Sequence, residues 1–139
     1  MQQVVSAVKP VTVAPPGTEH ILLIDDEEML AMLGQTILER LGYAVTKMTS
    51  SLEALATFRN HPEYFDAVVT DQTMPDMTGM DLARQMLQIR PDLPIILCTG
   101  YSTLTSKEQA QAEGIKGFLL KPITKAEIAT LLRKVLDNE

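Results

Sequence analysis

Residues 20–28 read HILLIDDEE, a short apolar run that is followed by four consecutive acidic residues. A continuously apolar segment of this kind predicts a β-strand that is covered on both faces. Further apolar runs of similar length follow along the chain, at Tyr43–Lys47, Phe65–Thr70, Pro94–Cys98 and Ile115–Leu120. Segments with helical periodicity lie between these runs. The sequence therefore predicts strands and helices in alternation.

The helical segments are marked by apolar residues that recur at helical spacing. The clearest sets are Leu30, Leu33, Ile37 and Leu41; Leu82, Met86 and Ile89; and Ile128, Leu131, Leu132, Val135 and Leu136. Capping boxes that begin at Ser50, Thr105 and Thr124 predict helix starts, and Gly42 and Gly114 predict helix ends. Five strands that alternate with five helices predict an α/β fold with a doubly wound parallel sheet. Such sheets bind ligands at the carboxyl ends of their strands.

The composition is that of one globular domain with an excess of acidic residues. The chain has 139 residues, a mass of 15.3 kDa and a formal net charge of −6. It has no cluster of Lys and Arg, which argues against nucleic acid or an anionic membrane as a partner. No apolar run approaches the ~18 residues of a membrane helix, so we expect no membrane insertion. The single cysteine, Cys98, and two histidines exclude a disulfide framework and a zinc site and suit a reducing, cytoplasmic location.

The start of the chain differs from the rest. Pro10, Pro15, Pro16 and Gly17 predict an extended arm or linker over residues 1–18, followed by a folded domain over residues 19–139. The arm has an apolar segment, but no basic residues precede it and Lys9-Pro10 interrupts it. It is therefore not predicted to be a signal peptide.

Polar residues follow four of the predicted strands. Asp25 and Asp26 follow the first strand, Asp71 the third, Thr99 the fourth and Lys121 the fifth. Three neighbouring carboxylates repel one another unless a cation lies between them, and an all-oxygen set favours Mg²⁺. A lysine and a hydroxyl suit phosphoryl oxygens, so an aspartate here is placed to accept a phosphoryl group. Taken singly, the acidic residues are also typical of helix caps, Thr99 is typical of a turn and Lys121 of a loop.

Four segments together resemble a known family: ILLIDDEE, VVTDQTMPDMTGMDL, ILCTGY and GFLLKPI. They resemble the receiver domain of two-component response regulators, and the resemblance extends over residues 19–139. It implies a flavodoxin-like sheet of five parallel strands in the order 2-1-3-4-5, with five helices. It also implies that Asp71 is phosphorylated and that Lys121 and Thr99 contact the phosphoryl group.

The resemblance further implies a metal site next to Asp71. Mg²⁺, or Mn²⁺ in its place, would be bound by Asp26, Asp71 and the backbone carbonyl of Thr73. Asp25 would bind the ion mainly through a water molecule.

Other residues match positions with roles in switching. Thr99 and Phe118 match the pair of side chains that move on phosphorylation. Thr73 and Tyr101 match positions that tune the lifetime of the phosphoryl group. The peptide bond between Lys121 and Pro122 is expected to be cis.

By the same resemblance, the phosphoryl donor is a phosphohistidine on a histidine kinase or a histidine phosphotransfer domain. A downstream protein would bind the face formed by the fourth helix, fifth strand and fifth helix, and this face is also expected to support a homodimer. The chain would be a phosphoacceptor that promotes its own phosphorylation and dephosphorylation, and not a turnover enzyme. Two contexts stay open: a stand-alone regulator, or the receiver module of a hybrid sensor histidine kinase.

Two other functions compete with this interpretation. Haloacid-dehalogenase-like phosphatases also use an aspartate at a strand end with Mg²⁺, but they need a second aspartate where this chain has Thr73. A scaffold with the receiver fold but without phosphorylation would normally have lost one of the polar residues at the strand ends, and all of them are present. The sequence has no P-loop motif and no G-x-G-x-x-G motif, which disfavours a nucleotide-dependent enzyme.

Overall fold

The structure, a computed structural model, describes residues 16–100 and 104–138. The strands and helices alternate as predicted. Their bounds are β1 (His20–Ile24), α1 (Glu28–Arg40), β2 (Ala44–Met48), α2 (Ser51–Asn60), β3 (Ala67–Asp71), α3 (Gly79–Ile89), β4 (Ile95–Thr99), α4 (Leu104–Ala112), β5 (Gly117–Leu120) and α5 (Lys125–Leu136). The strands form one parallel sheet in the order β2-β1-β3-β4-β5, so the predicted flavodoxin-like, doubly wound fold is confirmed.

The hydrophobic core lies on both faces of the sheet, which explains the continuously apolar runs in β1, β3 and β4. In β1, Leu22 and Ile24 pack in the cluster that includes residues of α2 and α3. Ile21 and Leu23 belong to the opposite cluster, which includes residues of α1 and α5. Because helices cover both faces, charged side chains are disfavoured within the central strands β1, β3 and β4 and occur at their ends.

The register of the strands brings their carboxyl ends to one edge of the sheet. Asp71 pairs with Cys98, and Thr99 pairs with Leu120. The strand order changes direction between β1 and β3. Residues that follow these two strands therefore flank the crevice in which sheets of this type bind ligands.

Most of the helix signals are confirmed. The hydroxyl groups of Ser50 and Thr124 accept hydrogen bonds from backbone N–H groups in the first turns of α2 and α5. Gly42 and Gly114 have φ angles of +103° and +98°, the left-handed conformation expected after a helix. Thr105, however, lies inside α4, so the capping box predicted there is wrong.

The predicted arm overlaps the described residues only at residues 16–18; residues 1–15 lie outside them. Gly17 is buried, and a Cβ atom on it would lie 2.0 Å from Cε1 of Tyr43. Arg133 of α5 forms an ion pair with Glu19 directly after this segment. The chain is thus attached to the domain from Gly17 onward. Within the described ranges, no helix has both the length and the apolar character needed to cross a membrane.

Candidate functional site

Three carboxylates converge at the carboxyl edge of the sheet. Asp25 and Asp26 follow β1 directly, and Asp71 is the last residue of β3. One oxygen from each of the three lies within 4.8 Å of the others. Asp25 and Asp71 are each only 7% exposed, so water screens their charges poorly. Like charges in such an arrangement repel, and the cluster needs a compensating cation.

Lys121 supplies part of that compensation. Its backbone N–H donates to the carbonyl of Thr99 at 2.8 Å, which fixes the backbone from which the side chain starts. Its Nζ lies 3.0 Å from Oδ1 of Asp71 and 3.2 Å from Oδ2 of Asp25. The peptide bond between Lys121 and Pro122 is cis, the isomer that the resemblance implies.

Burial of the site shifts its protonation equilibria. Burial raises the pKa of Asp71 above its ordinary value, and the contact with Lys121 opposes this effect without cancelling it. Burial also disfavours the ammonium form of Lys121, but the hydrogen bonds to Asp71 and Asp25 outweigh it and raise the pKa of Lys121. The lysine therefore stays charged at neutral pH, beside a poorly solvated carboxylate that can act as a nucleophile.

The donor set fits a hard divalent cation. Asp25, Asp26 and Asp71 offer oxygen atoms only, and Asp26 is more exposed than the other two. Mg²⁺ favours a small number of carboxylates and keeps several water molecules, which an open cluster permits. The three aspartates are thus suited to hold Mg²⁺ or Mn²⁺. Thr73 lies two residues after Asp71, and its carbonyl as a further ligand stays a prediction.

The segment after Asp71 is held by the start of α3. The side-chain oxygen of Gln72 accepts a hydrogen bond from the N–H of Met80 at 2.8 Å, and its backbone carbonyl accepts one from Gly79. A Cβ atom on Gly79 would lie 2.2 Å from the backbone oxygen of Asp71, so this approach requires glycine. The sequence did not predict either role, because both depend on where α3 begins relative to β3.

Thr99 and Phe118 line the same small cavity, which has a volume of about 210 Å³ and is also lined by Thr73. Thr99 is the last residue of β4 and is 7% exposed. Phe118 lies in β5 and is half-buried. The structure thus brings the predicted switch pair together, and its movement stays a prediction. Tyr101 lies outside the described residues.

An apolar groove lies beside Lys121, and the sequence did not predict it. The groove has a volume of about 350 Å³, and Asp25 and Lys121 are among its lining residues. Leu30 and Leu33 of α1 also line it, and they are 39% and 55% exposed. The helical periodicity predicted α1 correctly, but it could not distinguish an apolar stripe that faces a groove from one that faces the core.

Cys98 neighbours Asp71 across the sheet but is unsuited to act as a nucleophile. It is 2% exposed. Burial, reinforced by the charge of Asp71, raises the pKa of Cys98 to about 12, so its thiol is protonated at neutral pH. It serves as a small apolar side chain of the core.

Comparison with known proteins independently supports the resemblance to receiver domains. A family model described as the response regulator receiver domain matches residues 21–133. The chain is 32% identical over 123 residues to the sensor kinase CckA of Brucella abortus, and the aligned region covers 88% of this chain and 13% of CckA. It is 34% identical over 118 residues to the C4-dicarboxylate transport transcriptional regulatory protein DctD of Rhizobium meliloti. This aligned region covers 85% of this chain and 25% of DctD.

Solved structures show the same relationship. A response regulator receiver domain protein from Clostridium thermocellum aligns with a TM-score of 0.82 at 32% identity, over 86% of this chain and 95% of that one. A CheY-like receiver domain protein from Methanospirillum hungatei gives a TM-score of 0.80 at 28% identity, over 88% of this chain and 96% of that one. The chain spans only a small part of the two curated relatives, but nearly the whole of the two solved domains. It belongs to the family of response regulator receiver domains of two-component systems.

Proposed function

We propose that this receiver domain takes a phosphoryl group from a phosphohistidine onto Asp71 and thereby switches a protein-binding surface. The observation that carries the proposal is the position of Lys121 Nζ, which contacts both Asp71 and Asp25 where the carboxylates meet. An ammonium that bridges the acceptor and a neighbouring acid is placed to contact a phosphoryl oxygen once Asp71 carries the group.

In the proposed transfer, an oxygen of the Asp71 carboxylate attacks phosphorus in line with the phosphorus–nitrogen bond of the donor. That bond breaks as the new phosphorus–oxygen bond forms, and the imidazole leaves with the electron pair and takes up a proton. Lys121 neutralises negative charge on the phosphoryl oxygens. Mg²⁺ held by Asp25, Asp26 and Asp71 would supply further positive charge at the same place. Water later attacks phosphorus, releases phosphate and restores the carboxylate.

The proposed switch connects Asp71 to the face formed by α4, β5 and α5. A phosphoryl group on Asp71 offers new acceptor oxygens to the hydroxyl of Thr99, at the end of the adjacent strand. A Thr99 side chain that turns toward them leaves room in the cavity it shares with Phe118, and the ring can turn inward. The acyl phosphate would thus bias an equilibrium between two surfaces that exist before phosphorylation.

The groove beside α1 is the proposed docking site for the phosphohistidine donor. It is lined by apolar side chains that include the exposed Leu30 and Leu33, and it borders Asp25 and Lys121 of the acceptor site. A histidine kinase or phosphotransfer domain that covers these leucines would bring its histidine close to Asp71. Continuity with the acceptor site is the reason for assigning the donor, rather than the downstream protein, to this groove.

The context of the domain is a further part of the proposal. Of the relatives described above, CckA is a sensor kinase and DctD is a transcriptional regulatory protein. Either context, the receiver of a hybrid kinase or a stand-alone regulator in the cytoplasm, uses the same chemistry at Asp71. In both, the domain acts as a phosphoacceptor and not as a turnover enzyme.

Intact-mass spectrometry after incubation with acetyl phosphate tests the proposal. We expect the wild-type chain to gain one phosphoryl group with Mg²⁺ and none with EDTA. Asp71→Asn should gain none, whereas Asp76→Asn, at an exposed position in the same loop, should match the wild type. An adduct on Asp71→Asn would contradict the assignment of the acceptor. A folded wild type that accepts phosphoryl from neither acetyl phosphate nor any phosphorylated histidine kinase would support the scaffold function instead.

A further inference from the structure

Outside the acceptor site, a cavity of about 460 Å³ lies between α4, β5 and α5. Its apolar lining includes Ile115, Phe118 and Leu131. Its lining also includes three exposed lysines, which come from three different parts of the chain: Lys107 in α4, Lys116 in the α4–β5 loop and Lys134 in α5. The cavity thus combines apolar walls with a cationic rim.

The charge of this rim is unusual for the chain. The protein has 12 Lys and Arg against 18 Asp and Glu, so three lysines around one cavity run against its overall acidity. Within residues 16–100 and 104–138, Lys107, Lys116 and Lys134 form no ion pair with a carboxylate. Nζ of Lys116 donates a hydrogen bond to the backbone carbonyl of Asp92 at 3.4 Å. The rim is therefore available to acidic groups from outside the chain.

Phe118 connects this cavity to the acceptor site. The residue lines both the lysine-rimmed cavity and the smaller cavity that contains Thr99. A change in the position of its ring therefore alters the shape of both. A ligand that fills the larger cavity would thereby respond to the state of Asp71.

We propose that the lysine-rimmed cavity docks an acidic segment of the downstream protein, which inserts an apolar side chain between Phe118 and Leu131 and places carboxylates against Lys107 and Lys134. This inference rests on the proposed function, because it assigns a chemical class to the partner of the switched face. The apolar lining favours a protein over duplex nucleic acid, whose bases are stacked inside the helix and whose outer surface is mainly phosphate and sugar. The lysines disfavour a basic partner through like-charge repulsion.

Peptide selection on the full chain tests the proposal. A library of random 12-residue peptides displayed on phage is selected on the wild type and counter-selected on the Lys107→Glu, Lys134→Glu double variant. Enriched peptides should carry net negative charge and at least one large apolar residue. In fluorescence anisotropy, the double variant should weaken binding of the most enriched peptide at least tenfold. Lys125→Glu, at an exposed position of α5 outside the cavity, should leave its affinity within about twofold.

The outcomes separate this inference from the proposed function. The double variant should still gain a phosphoryl group from acetyl phosphate, because neither lysine belongs to the acceptor site. Phosphorylation of the wild type without enrichment of acidic peptides would overturn the docking inference and leave the proposed function standing. Enriched peptides that are neutral or basic, or a double-stranded DNA competitor that binds more tightly than the peptide, would also overturn it. Acidic-peptide binding in a wild type that cannot be phosphorylated would support the docking surface and contradict the function at Asp71.

Discussion

Nζ of Lys121 lies 3.0 Å from Oδ1 of Asp71, although β3, which ends at Asp71, and β5, which precedes Lys121, are not neighbours in the sheet. β4 lies between β3 and β5, so the lysine side chain reaches across the end of β4, where Thr99 is the last residue. The contact thus places a charge, an acceptor and a hydroxyl on three adjacent strands.

Replacing Lys121 with methionine should slow phosphorylation while leaving the fold intact. The change keeps much of the side chain's length but removes the charge that contacts Asp71 and Asp25. Loss of one positioned electrostatic group should lower the rate with acetyl phosphate by about 100-fold. Intact-mass time courses measure this rate, with Lys125→Met as the matched control because that lysine is exposed on α5. A rate for Lys121→Met equal to that of the control would show that the ammonium is not needed.

Mg²⁺ should raise the thermal stability of the protein in the absence of any phosphoryl donor. A cation between Asp25, Asp26 and Asp71 removes their mutual repulsion, and it binds the folded state alone. At about ten times its Kd, Mg²⁺ should add about 1.4 kcal/mol to the free energy of unfolding, or about 5 °C in Tm. Asp26→Asn should lose most of this increase, and Glu27→Gln, which changes the next acidic residue, should keep it. An equal increase in both variants would place the ion elsewhere.

Adding a methyl group at Gly79 should displace the backbone of the acceptor residue Asp71. A Cβ atom there would lie 2.2 Å from the backbone oxygen of Asp71 and 2.8 Å from Cδ1 of Leu97. We expect Gly79→Ala to lose about 1–3 kcal/mol of stability in urea denaturation and to be phosphorylated more slowly. Gly100→Ala is the matched control, since a Cβ atom there meets nothing within 4 Å, and it should change stability by less than about 0.5 kcal/mol. Similar losses in both variants would contradict the proposed overlap.

The Arg133–Glu19 ion pair should contribute stability that depends on pH. The hydrogen bond from Arg133 holds the pKa of Glu19 below its ordinary value, and partial burial only opposes this effect. A lowered pKa stabilises the folded state above the unfolded pKa of about 4.3, and this contribution is lost as pH falls through the folded value. Glu19→Gln should therefore destabilise the protein by about 1 kcal/mol at pH 7, with the difference from wild type shrinking below about pH 4. Urea denaturation at several pH values measures the difference in the free energy of unfolding between the variant and the wild type. The control variant Glu63→Gln, at an exposed position, should not show a difference that shrinks at low pH.

The acidic cluster could be predicted from the sequence because parallel strands fix where their ends lie. Once Asp25, Asp71 and Lys121 each follow an apolar strand, the alternation with helices brings all three to one edge of the sheet. The prediction needed no side-chain geometry. It required only the alternation of strands with helices, together with the continuously apolar runs of β1, β3 and β4, which indicate a sheet covered on both faces.

Contacts between separate elements could not be predicted in this way. Nothing in the spacing of residues indicates that Gln72 accepts a hydrogen bond from Met80, or that Gly79 lies against the backbone of Asp71. The capping box at Thr105 failed because a Ser or Thr caps a helix only from a non-helical position, and that residue lies within α4. Periodicity likewise marked Leu33 as part of an apolar stripe without showing that its side chain is left exposed.

That exposed leucine gives the sharpest test of the donor groove. Leu33→Ser removes apolar surface from the rim of the groove but leaves Asp71 and Lys121 unchanged. Complete burial of a leucine is worth about 1.5–3 kcal/mol, and Leu33 is 55% exposed, so a partner that covers it gains about half of that amount. The kcat/KM for transfer from a phosphorylated histidine kinase should therefore fall about 4- to 15-fold. Phosphorylation by acetyl phosphate, which is too small to use the groove, should be unchanged. Leu52→Ser, at a 50% exposed position of α2 outside the groove, should affect neither donor. A parallel loss with both donors would mean that Leu33 supports the acceptor site rather than docking, and no loss with either would remove the groove from the proposal.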